Sequence, residues 1–240
     1  MILEPRDFSL EQTTMWSFPE RGNWATHSGE YRGNWSPYIP RNIIMRYSNP
    51  CDWVLDQFAG SGTTLVEACL LKRNAIGVDV NQSAIDIMKG KLDFELTEQP
   101  KIVLKKGDAR KLDYIKAESI DLICTHPPYA DIIKYSSDNV NDLSHLSHTS
   151  FLNEMKNVAE ESYRVLKSGK ICAIMMGDMR QKGRVIPLAM ETMEVFLSAG
   201  FCSKEIIIKE QHNCKSTGYW EKRENNFLLL AHEYIFVFEK

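Results

Sequence analysis

Two short stretches of this chain place residue types at spacings that can do chemistry. The first is "THPPYA", 125–130, directly after the apolar run "SIDLIC". Proline cannot donate a hydrogen bond to a sheet, so a strand stops there on a rigid Pro127–Pro128 elbow, flanked by His126 and Tyr129. The second is "DQFAGSGTT", 56–64, which follows the strand-like "CDWVLDQF" and opens the helix-like "GTTLVEACLLKR". Gly60 and Gly62 permit a tight turn and a close approach of backbone to a ligand, and Ser61, Thr63 and Thr64 can cap the helix.

A strand–GxG–helix unit admits three nucleotide readings. A phosphate loop needs GK[ST] after the glycines, which is missing here, and a dinucleotide fold wants a third glycine where Leu65 stands. An adenosyl site instead needs a carboxylate at the end of the second strand for the ribose hydroxyls. Asp79 in "GVDVN" is placed there, about 20 residues on. Asp108 in "KKGDAR", after the third strand, can accept from an adenine amine. The plain alternatives are a helix N-cap for Asp79, a turn residue for Asp108 and a strand-ending turn for the elbow.

These residues need elements to position them, and the hydrophobic pattern from residue 51 onward supplies an alternating rhythm. Strand-like runs are "CDWVLDQF", "NAIGVDV", "KIVLKK", "SIDLICT", "ICAIMMGD", "FCSKEIIIK" and "FLLLAHEYIFVFEK". Between them stand helix-like runs: "GTTLVEACLLKR", "NQSAIDIMKGKLDF" with Asn81 or Ser83 as N-cap, "SFLNEMKNVAEESYRVLK" closed by "SGK", and "IPLAMETMEVFLSAG". A short helical turn is expected near "ARKLDYIK". The pattern predicts an α/β fold, a doubly wound, mostly parallel seven-stranded sheet whose last strand runs antiparallel. Residues 1–50 differ in texture, rich in Trp, Tyr, Gly, Asn and Pro, and read as an irregular lid or binding loop. Residues 1–240 are expected to form a single domain, with 51–240 as its α/β core.

Composition excludes several function classes. At 240 residues with 43% hydrophobic and 25% charged residues, the chain suits an ordinary globular core. The net charge of −3 gives no global attraction to a polyanion, so such a partner must meet a local patch. Six scattered cysteines without a CxxC pair suggest free thiols in a reducing cytoplasm. The N-terminal "MILEPRDFSLEQ" does not read as a signal peptide, and no apolar run approaches the roughly 18 residues that span a bilayer, so no membrane partner is expected. His145, His148, His212 and Cys214 could meet as a zinc site, but the spacing is loose and polar loop residues are the simpler reading.

"VLDQFAGSGTTLVEA", "GVDVN", "GDAR" and "THPPY" resemble the motif series of amino-methylating, S-adenosylmethionine-dependent DNA methyltransferases. The loop of that family commonly reads DPFxGSGTT, and its acceptor motif (D/N/S)PPY. The resemblance covers residues 51–180, and "HEYIFVFEK" looks like the closing strand of such enzymes. Gln57 replaces the usual proline and His126 the usual Asp, Asn or Ser, and no long insertion supplies a separate target-recognition domain.

The resemblance implies a class I, Rossmann-like methyltransferase fold and S-adenosyl-L-methionine as cofactor. It places the cofactor against Asp56, Phe58, Ala59, Gly60, Ser61, Gly62, Thr63, Thr64, Asp79, Asp108 and Thr125. It makes His126, Pro127, Pro128 and Tyr129 the acceptor site, where two acceptors grip the target amine and Tyr129 stacks on a flipped base. Phe58 to Pro127 is 69 residues, or three strand–helix units of roughly 20–25 each, so "SIDLIC" is the fourth strand, beside the first.

The implied substrate is double-stranded DNA, at cytosine N4 slightly before adenine N6 because Thr125 makes the motif more like TSPPY. A homodimer and a cognate restriction nuclease are partners the family would allow. The basic residues Arg180, Lys182, Arg184 and Lys215 are expected to contact phosphate, though a solvated surface is the default for such runs. Arg32, Arg41 and Arg46 mix with Trp24, Tyr31, Trp35 and Tyr38 in the N-terminal segment. RNA or protein-glutamine methyl transfer is the nearest alternative, and a dinucleotide oxidoreductase or a non-catalytic adenosyl-binding module the more distant one.

Overall fold

Successive residues along the central strands fall into two separate hydrophobic clusters. Val54, Leu122, Cys124, Ala173 and Val237 join one, while Leu55, Ile123, Cys172, Ile174 and Phe238 join the other. A sheet that is apolar on both faces must be covered twice. In the computed structural model, which describes residues 2–31, 33–96, 99–130, 139, 141–213 and 226–240, helices do so. Helices α1 (Tyr38–Tyr47), α2 (Thr63–Leu70) and α3 (Gln82–Lys91) add Ile39, Ile43, Leu65 and Met88 to the first cluster. Helices α4 (His148–Val165) and α5 (Leu188–Ser198) add Phe151, Met155 and Phe196 to the second.

The sheet is built from β1 (Met15–Trp16), β2 (Trp53–Asp56), β3 (Asn74–Asp79), β4 (Ile102–Lys106), β5 (Ile120–Thr125) and β6 (Leu166–Met176). A hairpin of β7 (Met179–Gln181) and β8 (Arg184–Ile186) stands outside it, and β9 (Cys202–Glu210) and β10 (His232–Glu239) complete it. The order is β1-β9-β10-β6-β5-β2-β3-β4, and β10 alone runs against its neighbours β6 and β9. The chain moves outward through β3 and β4, then returns to place β5 on the other side of β2. That reversal opens a crevice at the carboxyl ends of β2 and β5.

Four details differ from the sequence-based expectation. The sheet has eight strands rather than seven, because Met15 and Trp16 pair parallel with Ile208 and Lys209 on β9. The N-terminal segment contains α1, which its two prolines conceal: Pro37 precedes the helix and Pro40 lies in its first turn, where a missing N–H costs nothing. "SGK" does not close α4; it lies inside β6, where Gly169 has φ +71° and the register against β5 slips between Ile120 and Leu122. The stretch near "ARKLDYIK" forms turns and no helix. Among the described residues, no helix is long and apolar enough to cross a membrane.

Candidate active site

The glycine loop links β2 to α2 through two left-handed residues, Gly60 (φ +51°) and Gly62 (φ +84°). A Cβ on Gly62 would lie 2.8 Å from Met88 Cγ, so the glycine lets the loop close on α3. A Cβ on Gly60 would lie 3.2 Å from the ring of Tyr31, which comes from the N-terminal segment. Asp79, at the end of β3, receives the Gly60 amide on Oδ2 at 2.9 Å and the Asn81 amide on Oδ1 at 2.8 Å. Burial raises its carboxyl from the ordinary value, and these two amide bonds oppose the rise. Each oxygen keeps a lone pair for a further donor.

Asp56 is the buried centre of the loop. It accepts from Thr125 Oγ1 at 2.6 Å, Thr64 Oγ1 at 2.5 Å and the Phe58 amide at 3.1 Å. Burial pushes its carboxyl up to about 6 against those three bonds. One carboxylate therefore ties the loop, the first turn of α2 and the end of β5 together. Thr64 and Thr125 turn their hydroxyls inward to it. Thr63 donates to Asn34, and Ser61 accepts from Lys91 Nζ at 3.0 Å.

The elbow follows β5 immediately. His126 and Pro128 line the crevice while Pro127 is buried. Trp35 from the N-terminal segment stacks on the His126 ring, 5.5 Å between centroids and 23° between planes. His126 Nε2 lies 3.2 Å from the Tyr129 hydroxyl, which donates to Glu233 Oε1 at 2.7 Å; Lys209 Nζ donates to Glu233 Oε2 at 3.1 Å. Burial pulls His126 down to about 4, with Glu233 opposing and Lys209 assisting, so the imidazole is neutral at neutral pH.

Loop and elbow share one crevice, with about 740 Å³ of empty space when its open mouth is included. Asp56, Phe58, Ala59, Gly60, Ser61, Asp79, Asp108, His126 and Pro128 line it; Gly62, Thr63, Thr64, Thr125, Pro127 and Tyr129 stand behind that surface. Asp108 arrives as half of an ion pair, since Arg110 Nη2 lies 2.6 Å from Oδ2 and Nε bonds both oxygens. Asn34, Asn81 and Leu143, which carry no site role in the sequence reading, also line the crevice; Glu233 stands behind the elbow, joined there by Lys209, which by sequence reads as one of the basic residues around the last loop. Asn81 lies two residues beyond the strand that ends at Asp79 and by sequence reads only as a cap; Glu233 lies in "HEYIF" with no spacing that ties it to the elbow.

The basic residues separate. Lys182 and Arg184 are exposed on the β7–β8 hairpin that follows β6. Arg180 instead donates to the Gly183 and Leu228 carbonyls and lies over the Phe227 ring at 4.4 Å. Lys215 lies outside the described residues, as does Cys214. His145 sits 3.8 Å from Asp142, His148 bonds Glu191, and His212 bonds Ser17 at 2.9 Å.

With this geometry in hand, the chain resembles one family model, two curated relatives and two solved structures as follows. A family model for DNA methylases of the N6/N4 type matches residues 4–90 and 120–240. Type II methyltransferase M.MjaI of Methanocaldococcus jannaschii is 28% identical over 180 residues, 62% of this chain and 58% of that protein. Type II methyltransferase M1.MboII of Moraxella bovis is 49% identical over 51 residues, 20% of each chain. The chain thus spans little more than half the length of M.MjaI. Among solved structures, TrmN from Thermus thermophilus shares the fold with a TM-score of 0.59 at 18% identity, covering 87% of this chain and 50% of that one. A SAM-dependent methyltransferase from Methanosarcina mazei does so with a TM-score of 0.59 at 15% identity, covering 82% and 96%.

Proposed function

The chain belongs to the N6/N4 DNA methylase family, whose methyl donor is S-adenosylmethionine, and on that premise we propose that it methylates an exocyclic amine of a base flipped out of duplex DNA. One observation carries the reading: the glycine loop with Asp79 and the His126–Tyr129 elbow face a single crevice at the switch point of the sheet.

The residues present fit the cofactor. Asp79 keeps acceptor capacity for the two ribose hydroxyls, and at Gly60 the loop backbone lies open where any side chain would crowd Tyr31. Asp108, which lines the crevice and is paired with Arg110, is assigned to the adenine amine as an acceptor. When bound, S-adenosylmethionine supplies a methyl group on a sulfonium, which leaves readily in an in-line displacement.

The protein's part is mainly positioning. An exocyclic amine is a weak nucleophile because its lone pair is delocalised into the ring. The neutral His126 ring, which lines the crevice, can accept one amine N–H, and the carbonyl of Pro127, a buried residue behind that surface, is assigned the second, which together free that lone pair. Tyr129 backs the elbow, and extruding the base costs a few kcal/mol of stacking. Cytosine N4 is preferred over adenine N6 on the likeness of the motif to TSPPY alone, because Thr125 directs its hydroxyl to Asp56. Lys182 and Arg184 are assigned to phosphate.

The test offers labelled S-adenosylmethionine with duplex DNA, single-stranded DNA, RNA and protein extract, followed by analysis of the modified nucleosides. Label in N4-methylcytosine of duplex DNA is expected. Label confined to RNA or protein would overturn the substrate assignment.

A further inference from the structure

Three hydrogen bonds behind the elbow bear on where protons sit: Lys209 to Glu233, Tyr129 to Glu233, and the contact of His126 with Tyr129. Glu233 lies at the start of β10, the one reversed strand, which brings its first residues to the end of the sheet where the parallel strands finish. Its side chain is 10% exposed and meets Lys209 on β9. Burial by itself would raise the carboxyl, but the Lys209 ammonium and the bonds from Lys209 and Tyr129 oppose it, and the carboxyl lies below its ordinary value. An ionised carboxylate can only accept. The single proton of the Tyr129 hydroxyl is therefore directed at Glu233, and the hydroxyl oxygen facing His126 Nε2 at 3.2 Å is an acceptor. Gly177 keeps the path open, since a Cβ there would lie 3.1 Å from the Tyr129 ring and 3.3 Å from Glu233 Cγ.

We infer that Glu233 is a positioning residue that acts through Tyr129 to fix the tautomer of His126, placing the ring hydrogen on Nε2 and leaving Nδ1 as the acceptor for the target amine. The inference deepens the acceptor role proposed above for His126 and rests on it. With the opposite tautomer, Nδ1 would be a donor and would oppose the amine N–H instead of gripping it. The histidine then does the work of an Asp, Asn or Ser oxygen only because a carboxylate two side chains away sets its orientation of charge.

The test reads the tautomer directly, by nitrogen-15 NMR of imidazole-labelled 240-residue protein, with His126→Asn identifying the signal. Wild type is expected to carry the hydrogen on Nε2. In Glu233→Gln the only oxygen of the new amide should face Lys209, which can only donate, so its NH₂ turns to Tyr129. The Tyr129 proton then points at His126, whose hydrogen should move to Nδ1. Methyl transfer to unmethylated genomic DNA should lose at least about tenfold in kcat with little change in KM for S-adenosylmethionine. Should Glu233→Gln not fold, Tyr129→Phe is expected to replace the single tautomer by a mixture. A wild-type hydrogen on Nδ1, or an unchanged tautomer in either variant, overturns the inference and leaves the acceptor reading intact. Wild-type transfer by His126→Ala overturns the acceptor reading and leaves the tautomer assignment intact.

Discussion

An imidazole that burial holds neutral down to about pH 4 can accept a hydrogen bond wherever the protein is folded. Two consequences follow for His126. His126→Asn and His126→Asp should keep more methyl transfer than His126→Ala, since both retain an acceptor near the same place; steady-state rates on one DNA substrate decide it. The acid limb of the rate profile should also lack a titration near the ordinary 6.5. The sign for stability runs the same way: between about 6.5 and 4 the unfolded chain binds a proton that the folded His126 refuses, so its contribution to stability falls as pH drops through that window. Denaturation midpoints across that range in wild type and His126→Asn should differ in slope accordingly. For Asp79, loss of a charge-assisted pair to the ribose predicts that Asp79→Ala weakens S-adenosylmethionine binding by about 1.5–3 kcal/mol. Unchanged affinity by calorimetry in the folded variant would sink that role.

The helices hold these residues by contacts that were only partly legible beforehand. Leu65 stands where a dinucleotide fold puts its third glycine, yet α2 still comes close to the sheet, because the small residue is on the strand. A Cβ on Gly77 of β3 would lie 2.4 Å from Leu65 Cδ2. Gly77→Ala should cost about 1–3 kcal/mol by overpacking, and much less in a Leu65→Ala background, as a double-mutant cycle in urea would show. On the far side of α2, fully buried Glu67 accepts from Trp24 Nε1 at 2.7 Å and Arg41 Nη1 at 2.9 Å, and bonds His27 Nε2 at 2.7 Å. All three partners come from residues 24–41, so one carboxylate binds the N-terminal segment to the helix that the glycine loop opens. Glu67→Ala leaves Arg41 buried with only Glu4 and should cost about 3 kcal/mol or more, read from the unfolding midpoint. Period-two strands, the glycine loop and the elbow were readable because local chemistry dictates them. Glu67 was not, for a glutamate inside "TTLVEACLL" looks like an exposed helical position until its partners, 26 to 43 residues away, are known. The same holds for Asp56 with Thr125 and for Glu233 with Tyr129, whose pairings span 69 and 104 residues.

At the scale of the molecule, a net charge of −3 must be reconciled with the polyanionic substrate proposed above. The exposed hairpin cations Lys182 and Arg184 are the local exception that the described residues show beside β6. Reversing both charges should cut DNA affinity, lower the slope of log affinity against log salt by roughly 2, and leave S-adenosylmethionine binding alone. Arg180→Ala should act differently, by loosening the hairpin from Leu228, with a smaller change in that slope. Filter binding at several salt concentrations separates the two. The position of β10 has a bearing on biosynthesis. It lies between β6 and β9 yet is translated after both, and β1, which precedes them in the chain, is paired among the described residues with β9. On the ribosome, then, β9 and the N-terminal strand have no docked place until residues 232–239 emerge, and Glu233 arrives with them. A nascent or prematurely terminated chain can carry a complete glycine loop and elbow while its sheet is still open, so the proposed methyl-transfer site lacks its Glu233 backing until β10 has been translated.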